Sequence, residues 1–556
     1  MSDESRTGLR TAVAGTLLPG FDGRRLPDWV RDRLASGLAG VCLFGENIES
    51  LAQLRELTGD IHAANPAAVI AIDEEGGDVT RLFYDIGSPY PGNAVLGRID
   101  DPARTEAVAA AVGAALAEAG VTLDFAPDVD VNSNPDNPVI GVRSFGASAE
   151  HVARHSAAWV RGLQSTGVAA SAKHFPGHGD TATDSHRALP VVDASLEHLR
   201  SRELVPFVAS IEAGVKTIMT SHILLPQLDP EHPATLSSAV LGLLRHELGF
   251  TGVIVSDALD MAGASGTIGI PEAAARALGA GCDLLCIGTK NTDAQLTTIE
   301  DVVLAAVAGG RLSEGRVRAA AQSVRTLDSS TSRTDRSAGT MPSAGAIPTA
   351  GEVAASFDVS DWARQWIAAG DPGLVVRLEA PANEAVGTAP WGPFAALDRT
   401  MAGEPASESA SESTSATSSA AIEASSVTST AASATSTATS GWWRGADVIT
   451  VTERSAADLE RLGDDPRFAR NRVVVIGRDN HRVSWVRRLV DTLRRSNDVL
   501  VVDMGWPDAE RQYADIATFG ASRLVGEALL IALASHPTNL DTPPATTSLH
   551  HERLLL

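Results

Sequence analysis

The sequence predicts a two-domain α/β protein, in which a (β/α)8 TIM-type barrel is followed by a smaller α/β sandwich domain. Its 556 residues are too many for one ordinary core. Between residues 12 and 288, short apolar runs alternate eight times with amphipathic segments, which is the pattern of a barrel of parallel strands. A second, shorter α/β series follows two low-complexity stretches, which indicates a separate sheet domain.

The eight predicted barrel strands are short and strongly apolar. They lie at residues 12–18, 40–44, 68–73, 122–127, 170–175, 216–222, 252–257 and 283–288. Most of the intervening segments repeat apolar residues at helical spacing, and several open on Ser or Asp and close on Gly. Catalytic groups of such barrels sit where strands end, so polar residues at those points are the functional candidates.

The domain plan follows from shifts in composition. We expect a catalytic barrel over 1–328, a linker over 329–351, a second domain over 352–404 and 442–535, an Ala/Ser/Thr-rich disordered insert over 405–441, and a flexible tail over 536–556. The second domain's predicted strands lie at 373–380, 446–452, 472–477 and 498–505. None is followed by a Gly-rich phosphate loop, which argues against nucleotide binding.

Charge and composition favour a small-molecule substrate. The formal net charge is −24, and the 45 Lys and Arg residues are scattered, so we expect no nucleic acid or membrane partner. The sequence has no basic leader with an apolar core and no run of about 18 apolar residues, which predicts a cytoplasmic protein. Cys42, Cys282 and Cys286 lie in apolar segments and are predicted to be buried free thiols.

The richest chemical motif is "KHFPGHGDTATDSH", residues 173–186. It follows a predicted strand and combines a lysine and three histidines with Asp180 and Asp184, while Pro176 and two glycines prevent a helix. Asp184 and His186 are two residues apart, so the carboxylate can orient the imidazole and stabilise its protonated form. The motif therefore predicts acid/base chemistry at the barrel mouth, although a lone histidine is more often a surface or packed residue.

Five motifs in order resemble glycoside hydrolase family 3, and in particular its bacterial β-N-acetylhexosaminidase branch. They are "IDEEGGDVTRL", "NPVIGVRSFG", "KHFPGHGDTATDSH", "PATLS" and "GVIVSDALDM". The resemblance covers residues 12 to about 327, and it extends more loosely to "VVDMGWPDAERQYADIATFGASR" in the second domain.

The resemblance implies a role for each candidate. Asp257, at the end of "GVIVSD", would be the nucleophile, since a carboxylate is ionised at pH 7 and can leave again from a glycosyl ester. His186 would be the general acid/base, with Asp184 as its partner. The residues implied to hold the sugar are Asp73, Arg81, Arg143, Lys173, His174 and His222.

The residues alone leave simpler interpretations open. Asp257 could cap a strand-to-loop turn, and the sugar-binding set could be a barrel-mouth ion network. Asp260 is expected to be a local hydrogen-bonding residue. His178 could either shape its loop or touch the substrate.

The function expected from these features is a retaining exo-glycosidase that releases terminal β-linked N-acetylglucosamine through a glycosyl-Asp intermediate, in cell-wall or chitin sugar recycling. We expect no cofactor and no metal. Inorganic phosphate is a predicted second acceptor, because a neutral histidine base would not repel it. Three alternatives stay open: a β-glucosidase-type hydrolase, a metal hydrolase using His174, His178, Asp184 and His186, and a non-catalytic sugar-binding protein.

Overall fold

The computed structural model describes residues 3–183, 189–329, 345–380, 383, 385–401, 446–456 and 472–534. Within this part of the chain, one eight-stranded parallel sheet has the order β1-β10-β9-β6-β5-β4-β3-β2. Its terminal strands β1 and β2 lie side by side, so the sheet curls into a nearly closed barrel. The predicted (β/α)8 fold is confirmed.

The barrel strands are short and almost wholly buried. Their bounds are β1 Leu17–Pro19, β2 Gly40–Cys42, β3 Val69–Ile72, β4 Leu123–Asp124, β5 Ala169–Phe175, β6 Thr217–Thr220, β9 Val253–Ser256 and β10 Leu284–Gly288. The first predicted strand was wrong at its start, because residues up to Ala14 belong to a helix whose Leu9 and Val13 are buried. A short apolar run fits a helix face as well as a strand.

The helices between strands cover the outside of the barrel. They span Asp3–Ala14, Asp28–Ala35, Leu51–Ala64, Asn93–Ile99, Pro102–Glu118, Ala149–Gln164, Leu196–Ser201, Val205–Glu212, Ser238–Gly242, Ala262–Ser265, Ile270–Ala280, Asp293–Ala308 and Glu314–Ser329. The segment between strands β5 and β6 forms two helices, and Pro206 lies in the first turn of the second one, where its missing N–H is tolerated. An antiparallel pair, β7 Leu224–Leu225 and β8 Asp229–Pro233, follows strand β6 and was not predicted.

The second sheet has six strands in the order β11-β16-β15-β14-β12-β13. The strands are β11 Asp358–Val359, β12 Leu374–Glu379, β13 Asp447–Thr452, β14 Arg472–Gly477, β15 Asp498–Asp503 and β16 Ile516–Ala517. The helices of this region are Ala350–Ala355, Asp361–Ala368, Gly392–Met401, Glu453–Ala456, Ser484–Leu493 and Arg523–Ala534. Apolar clusters lie on both faces of the sheet, which is parallel except for β11, so the predicted α/β sandwich is confirmed.

The two sheets belong to units that pack tightly against each other near the barrel mouth. Val95, on a helix that follows strand β3, is buried in the apolar cluster of the second sheet. The Ala521 amide donates to the Asp78 carboxylate at 2.7 Å, and Arg482 donates to the Pro135 carbonyl at 2.7 Å. Backbone and side-chain contacts therefore fix the second unit over the loops that follow the barrel strands.

Several predictions fall wholly or mainly outside the described residues. They concern most of the linker (330–344), the Ala/Ser/Thr insert (405–441) and the tail (536–556). Ala350 already begins a helix, capped by Thr349, inside the predicted linker. Among the helices that the structure does describe, none has the length and apolar character needed to cross a bilayer.

Candidate active site

A cavity of about 380 Å³ opens at the mouth of the barrel, where the strands end. The structure brings together six of the residues predicted from the sequence, and all six line this cavity: Asp73, Arg81, Arg143, Lys173, His174 and Asp257. His178, Asp260 and Ala385 also line it.

Lys173 lies on strand β5 and is 2% exposed. Its ammonium group contacts the carboxylates of Asp73 at 2.7 Å and Glu75 at 2.8 Å. Burial alone would lower the pKa of Lys173, but these two negative charges outweigh it and raise the pKa. Lys173 is therefore a permanent cation below the cavity.

Arg143 forms the second cationic position. It donates to both carboxylate oxygens of Glu75, at 2.7 and 2.9 Å, and lies 3.5 Å from Asp128. Burial opposes ionisation of Glu75, yet the charges of Arg143 and Lys173 hold its pKa below the usual range. Two buried cations thus share one buried carboxylate, with Asp73 nearer to solvent at 23% side-chain exposure.

A pair of histidines lies beside this network. The Asp130 carboxylate contacts Nδ1 of His174 at 2.7 Å and accepts the backbone N–H of His178 at 2.6 Å. His178 Nδ1 contacts the Thr181 hydroxyl at 2.7 Å. Burial, reinforced by the charge of His174, lowers the pKa of His178 to about 4, so its imidazole is neutral at pH 7.

The "PGHG" turn that carries His178 needs its glycines for backbone reasons. Gly177 has φ +131°, a conformation that L side chains rarely adopt. A Cβ on Gly179 would come within 1.8 Å of the Val131 carbonyl oxygen. These glycines let the loop after β5 pass close under the loop after β4.

Asp257 follows strand β9 directly, as expected. Its carboxylate accepts the backbone N–H of Ala258 at 2.7 Å, and its own N–H donates to the Thr220 hydroxyl at 3.3 Å. These bonds fix both the backbone and one carboxylate oxygen at the strand end, while the residue keeps partial exposure to the cavity.

Arg81 connects the cavity to the second unit. Glu74 holds the backbone of its loop by accepting the N–H groups of Arg81 at 2.8 Å and Leu82 at 2.9 Å. The Arg81 guanidinium donates to the Ala385 carbonyl at 2.7 Å, although the two residues are 304 positions apart. Ala385 therefore contributes to the wall of the cavity.

His222 and Asp260 have local contacts. Both ring nitrogens of His222 are engaged, Nδ1 with the Thr235 hydroxyl at 2.9 Å and Nε2 with the Ala258 carbonyl at 2.9 Å. His222 is fully buried and is not among the lining residues, so it contacts the Asp257–Ala258 turn from behind. Asp260 accepts the Thr289 N–H at 2.9 Å.

Asp184 and His186, the predicted acid/base pair, lie outside the described residues, which stop at 183 and resume at 189. The metal-hydrolase set would also need them. A different group, Asp128, Asp130 and His174, has spacing that a metal ion could use. The Arg143 guanidinium already supplies positive charge 3.5 Å from Asp128.

Sequence reasoning missed three buried carboxylates: Glu75, Asp128 and Asp130. All three were visible as polar letters after strands, in "DEEGG" and "DVDV", but nothing in the letters distinguishes a buried partner of a cation from an exposed residue. Ala385 was also missed, because a backbone carbonyl has no side-chain pattern to find.

Comparisons with known proteins agree with this geometry. Residues 25–327, more than half of the chain, match the glycosyl hydrolase family 3 N-terminal domain. A beta-hexosaminidase from Neisseria meningitidis serogroup C is 38% identical over 283 residues, which are 49% of this chain and 78% of that protein. Beta-hexosaminidase A from Pseudoalteromonas piscicida is 40% identical over 270 residues, 44% of this chain, and the match spans only 45% of that longer protein.

A solved structure matches both units of the molecule. It is a glycoside hydrolase family 3 beta-N-acetylglucosaminidase from Paenibacillus sp. str. FPU-7, with 29% identity, a TM-score of 0.76 and coverage of 95% of this chain and 97% of that one. The matched family domain, the barrel and the residues at its mouth lead to one conclusion: the chain belongs to glycosyl hydrolase family 3 and is a glycosidase.

Proposed function

We propose that this protein is a retaining exo-glycosidase that releases terminal β-linked N-acetylglucosamine. The observation that carries the proposal is the convergence of Asp257 with two buried cations, a histidine and Asp73 on one cavity of about 380 Å³. That volume suits a single sugar residue with part of its leaving group. The names of the similar proteins, beta-hexosaminidase and beta-N-acetylglucosaminidase, support the choice of sugar.

In the proposed mechanism, the Asp257 carboxylate attacks the anomeric carbon and forms a glycosyl ester. The C–O bond to the leaving group breaks as the ester bond forms, and water later attacks the same carbon to return the sugar with its β configuration. The Ala258 N–H, which donates to the Asp257 carboxylate at 2.7 Å, orients it.

The proton that the leaving oxygen needs comes from His186 in this mechanism, with Asp184 as its orienting partner. His186 then accepts a proton from the attacking water in the second step. His178, with its pKa lowered to about 4, stays neutral at pH 7 and is not a second acid.

The sugar hydroxyls are oriented by Asp73, Arg81, Arg143, Lys173 and His174. Lys173 and Arg143 are already held by Glu75, so they lose little freedom when they bind a hydroxyl. The barrel-mouth ion network and the sugar site are thus the same set of groups. We assign His222 the positioning of the Asp257–Ala258 turn.

Two finer parts of the function are also proposals. The released sugar would come from cell-wall or chitin fragments. Phosphate would compete with water for the ester. A carboxylate base would repel phosphate by about 4 kcal/mol, the energy of two unit charges about 4 Å apart at an effective dielectric near 20, and a neutral imidazole base does not. Release of N-acetylglucosamine 1-phosphate across a phosphate series, against free sugar, tests the acceptor.

The activity itself is tested with a panel of aryl glycosides that carry N-acetylglucosamine or glucose. We expect turnover of the β-N-acetylglucosaminide, and a loss of about four or more orders of magnitude in Asp257→Ala. Asp260→Asn, three residues away with a local contact to Thr289, is the matched control and should lose far less. Faster turnover of the β-glucoside would favour the β-glucosidase alternative, and equal losses in both variants would remove Asp257 as nucleophile.

A further inference from the structure

A second cavity, of about 830 Å³, opens in the sheet unit, at the carboxyl ends of strands β12, β13 and β14. The parallel strands run β13-β12-β14-β15-β16 across the sheet, so the chain moves to one side of β12 first and to the other side afterwards. In open α/β sheets, ligands bind outside the carboxyl ends of the strands, at the point where the order reverses. The cavity lies at that point.

The lining of this cavity combines three arginines and two aromatic rings with two carboxylates, those of Glu379 and Glu453. Arg377, Arg454 and Arg478 line it together with Trp391 and Phe394. The Arg478 guanidinium lies 4.8 Å from the centre of the Trp391 ring, and that of Arg377 lies 4.6 Å from the Phe394 ring. In a protein whose net charge is −24, three arginines thus line this crevice against two glutamates.

The charges of these arginines are only partly matched. Arg377 is paired with Glu379 at the end of β12. Among the described residues, Arg454 and Arg478 form no ion pair. Burial raises the pKa of the Asp78 carboxyl, and the nearby positive charge of Arg478 reduces that rise. Guanidinium groups match carboxylate and phosphate oxygens in bidentate fashion.

Trp391 adds an independent observation. The residue is 5% exposed, and its indole N–H has no acceptor within the part of the chain that is described. A buried unpaired donor costs free energy unless a ligand or water accepts from it. The wall of this cavity thus contains a buried donor that has no acceptor among the described residues.

We propose that this cavity is a binding site for a small organic anion, in which a carboxylate or phosphate group meets Arg478 and Arg454 and a flat apolar part packs near Trp391 and Phe394. The site is separate from the barrel cavity, and the proposal does not depend on the glycosidase mechanism. The segment 387–390 forms part of its wall, and nearby Ala385 belongs to the wall of the barrel cavity.

The test uses the full chain and three probes of one size: phenyl phosphate, benzoate and neutral benzyl alcohol. Binding is measured by isothermal titration calorimetry in the wild type and in Arg478→Gln. We expect at least one anion to bind in the wild type, benzyl alcohol to bind at least ten times more weakly, and Arg478→Gln to weaken the anion at least tenfold. Phenyl phosphate alone would assign the site to phosphoryl ligands, benzoate alone to carboxylates.

Arg495→Gln is the matched control, since Arg495 follows the end of helix Ser484–Leu493 and is not among the lining residues. Its binding should equal that of the wild type. If Arg478→Gln lowers the yield of folded protein, exposed Arg454→Gln gives the same readout. Absence of anion binding at 10 mM of either probe, equal binding of the neutral probe, or equal affinities in Arg478→Gln and Arg495→Gln would overturn the proposal.

Discussion

The described residues form two large crevices at the carboxyl ends of parallel strands, and the two differ in how their charges are balanced. At the barrel mouth, Lys173 and Arg143 are buried and each contacts the Glu75 carboxylate. At the sheet mouth, Arg454 and Arg478 line an open crevice without an ion pair to any described carboxylate. Topology places a crevice in both units, but the placement of carboxylates decides what each can do.

The chemical consequence of this difference is specific. At the barrel mouth the strand-end carboxylate of Asp257 lines the same cavity as Lys173 and Arg143, which both pair with Glu75. In the proposed mechanism Asp257 acts on the substrate, while Glu75 compensates the charges of the two buried cations. In the sheet crevice the Glu379 carboxylate pairs with Arg377, whereas Arg454 and Arg478 are donors without an ion pair to a described carboxylate, which suits binding of an anion.

The largest expected effect that separates the two crevices is on acid/base catalysis. His186→Ala should lower turnover of substrates with poor leaving groups by about 10² to 10⁴, since acid/base assistance is worth that much. Aryl glycosides with acidic phenols should lose much less in the glycosylation step, because those phenols leave without a proton. Steady-state kinetics on both substrate types measures the gap. Equal losses would mean that His186 has a structural role.

The next effect compares two glutamates that pair with arginine. Glu75→Gln removes a carboxylate that is 3% exposed, leaving Lys173 and Arg143 with fewer partners, so we expect a loss of about 3 to 5 kcal/mol in the free energy of unfolding. Glu379→Gln at the sheet mouth removes a partner from Arg377 in a pair whose side chains are 28% and 29% exposed, and should cost less than about 1 kcal/mol. Urea unfolding measures both.

Losses of similar size in these two variants would break the comparison. They would show that burial does not make the ion pairs of Glu75 contribute more to stability than the partly exposed pair of Arg377 and Glu379.

The amount of the fold that could be predicted depended on the length of each element. The barrel strands were found from their apolar runs, and only the first was misplaced, because Leu9 and Val13 bury a helix face next to it. The two-residue strands β11 and β16 were missed, since two residues carry no period.

The candidate site was predictable where the side chain itself carries the chemistry. Asp257 and Lys173 stood out at strand ends, and both line the cavity. Burial was not predictable from the sequence. Glu75 is buried as the partner of Lys173 and Arg143, and His222 is buried behind the barrel cavity rather than lining it. The contact between Arg81 and the Ala385 carbonyl was invisible because it joins distant segments through the backbone.

A third expected effect is a loss of stability at acidic pH that arises from His178 at the barrel mouth. The pKa of His178 is about 4 in the folded protein and about 6.5 when unfolded, so the unfolded chain binds more protons between those values. Above pH 6.5 His178 is neutral in both states and does not lower the free energy of unfolding. As the pH falls from 6.5 toward 4, protonation of the unfolded chain lowers this free energy by up to about 3 kcal/mol.

This loss is isolated by comparing the wild type with His178→Gln. The difference in their free energies of unfolding should fall by that amount between pH 7 and pH 4, and exposed His246→Gln is the matched control. A difference that stays constant with pH would show that His178 is protonated as readily in the folded protein as in the unfolded chain.

The smallest expected effect is that of deleting residues 405–440. A tract with almost no large apolar residue contributes nothing to a core, so the melting temperature and turnover should stay close to those of the wild type. Calorimetry and the aryl glycoside assay measure both quantities. A large loss of folded protein would mean that the tract completes one of the two units.

The central claim is that the barrel crevice owes its chemistry to a covalent bond between the sugar and Asp257. The most direct measurement uses a slowly released fluorinated N-acetylglucosaminyl fluoride, followed by proteolysis and mass spectrometry of the labelled peptide. We expect one added sugar on the peptide that contains "VIVSDALDM", with fragmentation placing it on Asp257 and not on Asp260. A label on Asp260, Asp73 or any other carboxylate would contradict it.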